Sequence, residues 1–274
     1  MPESPRWLFI HGRADEAERI VGGIEDDIRE ETGEELEEPQ DTMKVRQRES
    51  IPFPEIAKVA FTMYPKRAIL GLALFVGQAF IYNGITFDLG TLFGTLYGVA
   101  SGTVPLFIII WALGNFAGPV TLGRLFDTVG REPMIFGTYL SSALVAVVLA
   151  GVLAYGIGGA WLFLGILVVC FFLASSGASA AYLTVSEIFP METRALAIAF
   201  FYAVGTGVGE ITGPLLFGKL IGSGNEGNVA IGFLIAAAVM AVGGIVEIFY
   251  GVKAEQAKLE DIAMPLTTAD ESDA

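Results

Sequence analysis

Three acidic residues stand where charge is expensive. Asp88, Glu210 and Glu247 lie within or at the ends of long apolar runs. An ionised side chain at the centre of a membrane helix costs about 2.5–3.5 kcal/mol on insertion scales. Glu210, well inside its run, must face a cavity or a partner or carry a proton, which makes it a candidate proton or cation site. Asp88, near the end of its run, is a second candidate, with a seat among lipid headgroups as the equal alternative. Glu247 is close enough to the end of the last run to reach the interface and is expected to be solvated there. A second group is polar but uncharged. Gln78 and Tyr82 are four residues apart and share a helix face, with Asn83 beside them. Tyr182, Thr184 and Ser186 polarise the end of a later run. Amides and hydroxyls in an apolar setting need partners. A polar solute in a cavity would supply them, and so would another helix. These groups bind; they do not break covalent bonds. The chain has no HExxH, no GxSxG and no pair of aspartates poised across two helices, so no enzyme is expected. One cysteine, Cys170, and one histidine, His11, give no disulfide and no cysteine-based metal site. No metal and no cofactor are expected, and His11 reads as a boundary residue after Trp7-Leu8-Phe9-Ile10.

The elements that must position these residues follow from hydropathy. The chain has 274 residues, 53% hydrophobic and 17% charged, with a mean hydropathy of +0.61. Soluble domains carry about 25% charged residues, and here the deficit is local. Residues 1–67 are charged throughout, 68–250 are almost free of charge, and 251–274 form an acidic tail. Six apolar runs are expected as spans near Ala68–Phe87, Val99–Leu122, Met134–Tyr155, Ala160–Val185, Leu196–Gly218 and Val229–Tyr250. About 20 apolar residues suffice to cross a bilayer as a helix. Continuous rather than alternating hydrophobicity makes these helices and not barrel strands. The fold class is therefore an all-α membrane protein, a six-helix bundle in a lipid bilayer behind a helical linker. Within the linker, Ala17, Ile20, Val21, Ile24 and Ile28 recur at helical spacing over Ala14–Glu31, interrupted by Gly22-Gly23. Another short helix is expected around Pro52 and Pro54. Gly205, Gly209 and Gly213 line one face of the fifth span, where small residues let helices approach closely.

Orientation comes from basic residues. Arg124, Arg131 and Arg194 fall in alternate connections, with Lys66, Arg67, Lys253 and Lys258 on the same side. The opposite connections contain no Lys or Arg, Lys219 being the exception. A multi-pass protein of the cell membrane with both termini cytoplasmic is expected. The net charge of −14 sits mostly in Asp15–Asp41 and in the tail. It argues against nucleic acid and against docking on anionic lipid.

Three stretches carry a resemblance. Gly123-x3-Asp127-x2-Gly130-Arg131, a short charged stretch expected as a tight surface turn between the second and third spans, resembles the loop signature of the major facilitator superfamily. Pro2-Glu3-Ser4-Pro5-Arg6-Trp7-Leu8 resembles the signature that follows the sixth helix of its sugar-porter-like members. Glu187-Ile188-Phe189-Pro190-Met191-Glu192-Thr193-Arg194 resembles the one between their tenth and eleventh helices. The resemblance covers essentially the whole chain, in the family's order and spacing. A complete member has twelve helices in two halves; this chain resembles the tail of helix six, the linker and helices seven to twelve. The resemblance implies a fragment, or a half that works with an N-terminal six-helix half as partner. It implies transport of a small polar solute by alternating access, with proton coupling. Gln78, Tyr82, Asn83 and Tyr182 would face the substrate. Asp127, Arg131, Glu187 and Arg194, joined by Glu3 and Arg6 and with Gly123 and Gly130 shaping the turn, would form a cytoplasmic gate. Gly77-Gln78 stands where sugar porters carry paired glutamines, and Phe87-Asp88 where they carry paired tyrosines. The implied solute is therefore a sugar or an organic metabolite.

Overall fold

The computed structural model describes residues 3–33, 58–190 and 194–252. The first helix, α1 (Pro5–Ile10), starts at its second proline, where a missing N–H costs no hydrogen bond. His11 closes it, its Nδ1 donating to the Trp7 carbonyl at 2.9 Å and its ring stacked on Trp7. Next, α2 (Ala14–Thr32) runs unbroken through Gly22-Gly23 and stops at Gly33, whose φ of 70° is left-handed. Leu8 and Ala17 are the buried residues of this pair. The expected helix around Pro52 and Pro54, and all but two residues of the tail, lie outside the described residues.

Six helices long and apolar enough to cross a membrane follow: α3 (Pro65–Thr86), α5 (Val104–Thr128), α6 (Arg131–Ala154), α7 (Ala160–Ile188), α8 (Arg194–Gly222) and α9 (Glu226–Tyr250). A short α4 (Leu89–Tyr97) follows α3 after a break at Phe87-Asp88. The described residues contain no strand. Each span departs from its expected bounds at one end or both, and the largest departures are at the two ends of the second span. The second span starts at Val104 rather than Val99, because Gly98 turns left-handed and Pro105 sits in the first turn. The stretch Gly123–Arg131 is mostly not a turn: α5 stays helical through Thr128, whose hydroxyl donates to the Arg124 carbonyl at 3.1 Å. Reversal is left to Val129-Gly130. Gly130 takes φ 114°, ψ 148°, open to glycine and strained for any other residue.

The packing has an internal symmetry. α3 packs on α8 and α9, α7 packs on α5 and α6, and α6 packs on α9. Exchanging α3, α5, α6 with α7, α8, α9 reproduces the same set, an internal 3+3 repeat. The sequence echoes it: Gly118-Pro119-x3-Gly123-Arg124-Leu125 in α5 and Gly213-Pro214-x3-Gly218-Lys219-Leu220 in α8. The two helices run in opposite directions, so Lys219 is the inverted counterpart of Arg124.

Glycine makes the contacts close. On α8, a Cβ at Gly209 would lie 2.5 Å from the Ala79 carbonyl carbon and 2.7 Å from the Phe80 nitrogen of α3. Gly205 meets Phe75 and Gly213 meets Gly84 in the same way. Where four helices meet, Tyr139 of α6 is fully buried. Gly77 of α3, Gly177 of α7, and Gly243 and Gly244 of α9 press on it. Its hydroxyl donates to the Leu74 carbonyl at 3.0 Å, so the one polar atom of that ring is satisfied.

Candidate functional site

Coverage is uneven around the bundle. The apolar windows of α5 and α8 are 28% and 22% buried, against 50–61% for the other four spans. Between these two lies a groove floored by α3 and α7. Phe75, Gln78 and Tyr82 follow one face of α3 at spacings of three and four. Tyr82 packs on Trp111 of α5 and Phe171 of α7, with ring centroids 6.1 and 5.7 Å away. Two turns back along α3, Phe75 meets Tyr182 of α7 edge-on at 4.7 Å, and Tyr182 lies 6.0 Å from Tyr202 of α8. Gln78 sits between these two aromatic clusters, half-buried. Asn83 spends its amide on its own helix, donating to the Ala79 carbonyl at 3.0 Å.

The structure adds two residues that the sequence reading passed over. Trp111, 6% exposed, has no partner for its indole Nε1, and neither amide atom of Asn115 has one. They are four residues apart on α5 and share a face. The signal was present: Asn115 is an amide inside an apolar run, as Gln78 is. Buried polar atoms without partners are rare in folded chains. Tyr82 and Trp111 thus meet across α3 and α5, with Gln78 and Asn115 each one turn away on the same two helices.

The three acids are placed differently. Glu210 is exposed on α8, beside Val208 and Ile211 and within electrostatic reach of Tyr182. Asp88 caps the break between α3 and α4. Its Oδ2 is buried without a partner, facing Gly218 of α8, and burial raises its pKa above the ordinary carboxylate value. On α4, Tyr97 is pushed up to about 12, first by burial and then by the charge of Glu226. Glu247 corrects the expectation: it does not reach the interface. It is 0% exposed, because α6 and α3 both close over α9 at this level.

At the end that carries the basic residues, Arg131 at the start of α6 donates to Glu187 near the end of α7. Their side chains are 11% and 21% exposed, so this pair is far better shielded than a surface pair. Asp127 stands one turn earlier at 3.8 Å from Arg131 and is 65% exposed. A cavity of about 70 Å³ lies beneath, lined by Gly123, Asp127, Arg131, Ser176 and Ser179 among others. A Cβ at Gly123 would meet nothing within 4 Å, so this glycine leaves space rather than close contact. Arg194 opens α8, half-buried. Arg67 of α3 donates to the Ile188 carbonyl, tying α3 to the end of α7. Glu3 is exposed before α1, with no basic partner among the described residues. The side chain of Arg6 lies outside the described residues.

Comparison with known proteins agrees with this arrangement. A family model described as sugar (and other) transporter matches residues 1–264. The chain is 28% identical over 218 residues to the major myo-inositol transporter IolT of Bacillus subtilis, covering 72% of this chain and 41% of that protein. It is 27% identical to the probable plastidic glucose transporter 1 of Arabidopsis thaliana, covering 98% of this chain and 50% of that protein. The probable metabolite transport protein CsbC of Bacillus subtilis is 30% identical over 73% of this chain and 43% of its own length. The chain thus spans about half the length of the curated relatives it matches. With a matching family model over nearly all its residues and six helices long and apolar enough to cross a membrane, the chain belongs to the sugar (and other) transporter family of the major facilitator superfamily.

Proposed function

We propose that this chain forms one wall of a transporter for a small polyhydroxylated solute, a sugar or polyol, and moves it by alternating access. The observation that carries the reading is the set of polar atoms in the groove that no protein group satisfies: the Trp111 indole N–H and both amide atoms of Asn115, beside Tyr82 and Gln78. A hydroxylated ring supplies the missing partners and stacks on the aromatic faces. Asn83 and Tyr182 border the same groove. The names of the relatives, a myo-inositol, a glucose and a polyol transporter, support this solute class.

The opposite wall is an N-terminal six-helix half, set against the open faces of α5 and α8. Residues such as Phe116 and Leu113 on α5, and Ile211 and Leu215 on α8, are 60–71% exposed and offer it an apolar seat. The Arg131–Glu187 pair, with Asp127 beside it and with Arg194, Glu3 and Arg6 as further members, serves as the cytoplasmic gate, closed in one state and parted in the other. Coupling is to protons, with Asp88 and Glu210 as the carboxyls that exchange them. Both termini lie in the cytosol, and the protein resides in the cell membrane. The relatives are named as transporters.

The test is solute binding followed by flux. Hexoses, polyols and organic acids are screened by thermal shift on the chain with an N-terminal half co-expressed, and hits are assayed for uptake into vesicles. A polyol or hexose that stabilises the pair and enters vesicles only with both halves supports the reading. Uptake by this chain alone overturns the half-site argument. A tight complex without flux for any solute favours a regulatory or structural half-bundle.

A further inference from the structure

Among the described residues Glu247 is a carboxyl sealed inside the bundle with neither oxygen hydrogen-bonded. One turn earlier on α9, Gly243 lies against the Tyr139 ring of α6 and the Ala73 carbonyl of α3, so the acid emerges into the same closed seam. Its charged and titratable surroundings are few. From α6 come Tyr139, whose hydroxyl is committed to Leu74, and Glu132. Glu132 is close: a Cβ added at Gly251 would meet Glu132 Cγ at 2.8 Å and Glu247 Oε1 at 3.1 Å. From α3, Lys66 is exposed, and Arg67 is turned to the Ile188 carbonyl and over the Tyr64 ring. On α9 itself the next titratable residue is Tyr250. Neither carboxyl has a cationic partner among the described residues.

A lone carboxylate in such a place is costlier than a bound proton. Two carboxyls at one site do not both ionise without a large penalty. We infer that Glu247 and Glu132 form a proton-binding site in the α6–α9 seam, one proton held between two carboxyls. Release breaks one O–H bond, passes the proton to water, and leaves the electron pair and an added negative charge in the seam. The position gives this a consequence. Arg131 and Glu132 are neighbours in the first turn of α6. Arg131 engages Glu187 on α7, while Glu132 stands with Glu247 on α9. Proton loss sets like charges against each other across the seam and loosens the turn that carries the Arg131 pair. Proton binding seals it. This does not rest on the identity of the solute or on any transport.

The test uses the purified chain in detergent. Dicyclohexylcarbodiimide reacts with protonated carboxyls in apolar surroundings, and mass spectrometry locates the adduct across a pH series. Hydrogen exchange of residues 131–135 and 247–251 is followed in parallel, corrected for the intrinsic pH dependence of exchange. The expected result is an adduct at Glu247 that is lost as pH rises, with protection lost over the same interval. Glu247→Gln keeps the shape of the neutral acid; it folds, forms no adduct at this position and stays protected at every pH. Glu132→Gln keeps the adduct and loses the pH-dependent loosening. The inference is overturned by an absent adduct in acid, by loosening that persists in either variant, or by a Glu247→Gln chain that cannot fold. The last outcome would mean that the seam needs the charge and not the proton.

Discussion

One side of α3 is closed and the other is open. Towards α8, the three glycines Gly205, Gly209 and Gly213 bring backbone against backbone, with no room for a single Cβ. Towards α7 and α5, Tyr82, Trp111, Phe171 and Tyr182 stand between the helices and keep their backbones apart. Lipid offers no hydrophobic drive for helices to meet, so contact rests on close packing of small residues. Where large rings replace them, a groove remains and polar atoms go unpaired. The difference separates two duties. The glycine seam holds α3 tightly against α8, and the aromatic groove is the proposed seat of the solute.

The seam is the sharper half of this contrast. Gly209→Ala forces a Cβ onto backbone atoms of Ala79 and Phe80, which cannot swing aside as a side chain would. Overpacking of this kind costs about 1–3 kcal/mol, and Gly209→Val more. Thermal unfolding in detergent is expected to fall steeply for both. Gly207→Ala, two residues away with nothing within 4 Å, is the control and leaves the midpoint unchanged or slightly raised. Equal behaviour of Gly207 and Gly209 variants would dissolve the distinction between the two sides.

The Arg131–Glu187 pair bridges α6 and α7 behind the groove. Because both side chains are largely shielded, Arg131→Gln leaves Glu187 without its partner, at about 1.5–3 kcal/mol for a charged hydrogen bond. The double variant Arg131→Gln/Glu187→Gln is expected to unfold at a higher temperature than the single one, since no lone charge remains. A double variant as unstable as the sum of the singles would mean that the two residues do not meet.

The groove is expected to answer in the opposite sense. Asn115→Leu removes an amide that has no protein partner, so the empty chain unfolds at the same temperature or a little higher. Stabilisation by the bound polyol or hexose is lost at the same time. Destabilisation of the empty chain would show that Asn115 is a packing residue and that the groove is as closed as the seam.

How much of this was legible in the sequence depends on whether the deciding signal was local. The six helices, the α2 face through Ala17 and Ile20, and the glycine face of α8 follow from spacing alone. The charge after Gly123 suggests a surface loop, because charge in a membrane chain usually marks a surface. Charged residues continue a helix as well as any, and only Gly130 forces the turn. The burial of Glu247 is hidden for a related reason. Distance from a helix end says nothing about which neighbours close over it, and α3 and α6 are remote in sequence. Trp111 and Asn115 escaped notice because an apolar run hides its amides; the inverted echo of Gly118-Pro119 in Gly213-Pro214 would have drawn attention to α5. The groove itself needs four helices in register, which no window of sequence contains.

The smallest effect concerns the end of the closed seam where Gly218 of α8 faces Asp88 rather than a backbone. Burial raises the pKa of Asp88 above its ordinary 3.8, so the folded chain holds this proton more tightly than the unfolded one. Stability from this source is therefore present in acid and lost as pH climbs from the unfolded value through the folded one. The native chain is expected to lose a small part of its thermal midpoint over that interval. Asp88→Asn, which keeps the shape and cannot ionise, follows a flatter curve and lies slightly above the native chain at neutral pH. Thermal unfolding across a pH series measures both. A native curve that rises with pH instead would mean that Asp88 finds a cation there, and that the seam ends in a binding site rather than in a sealed contact.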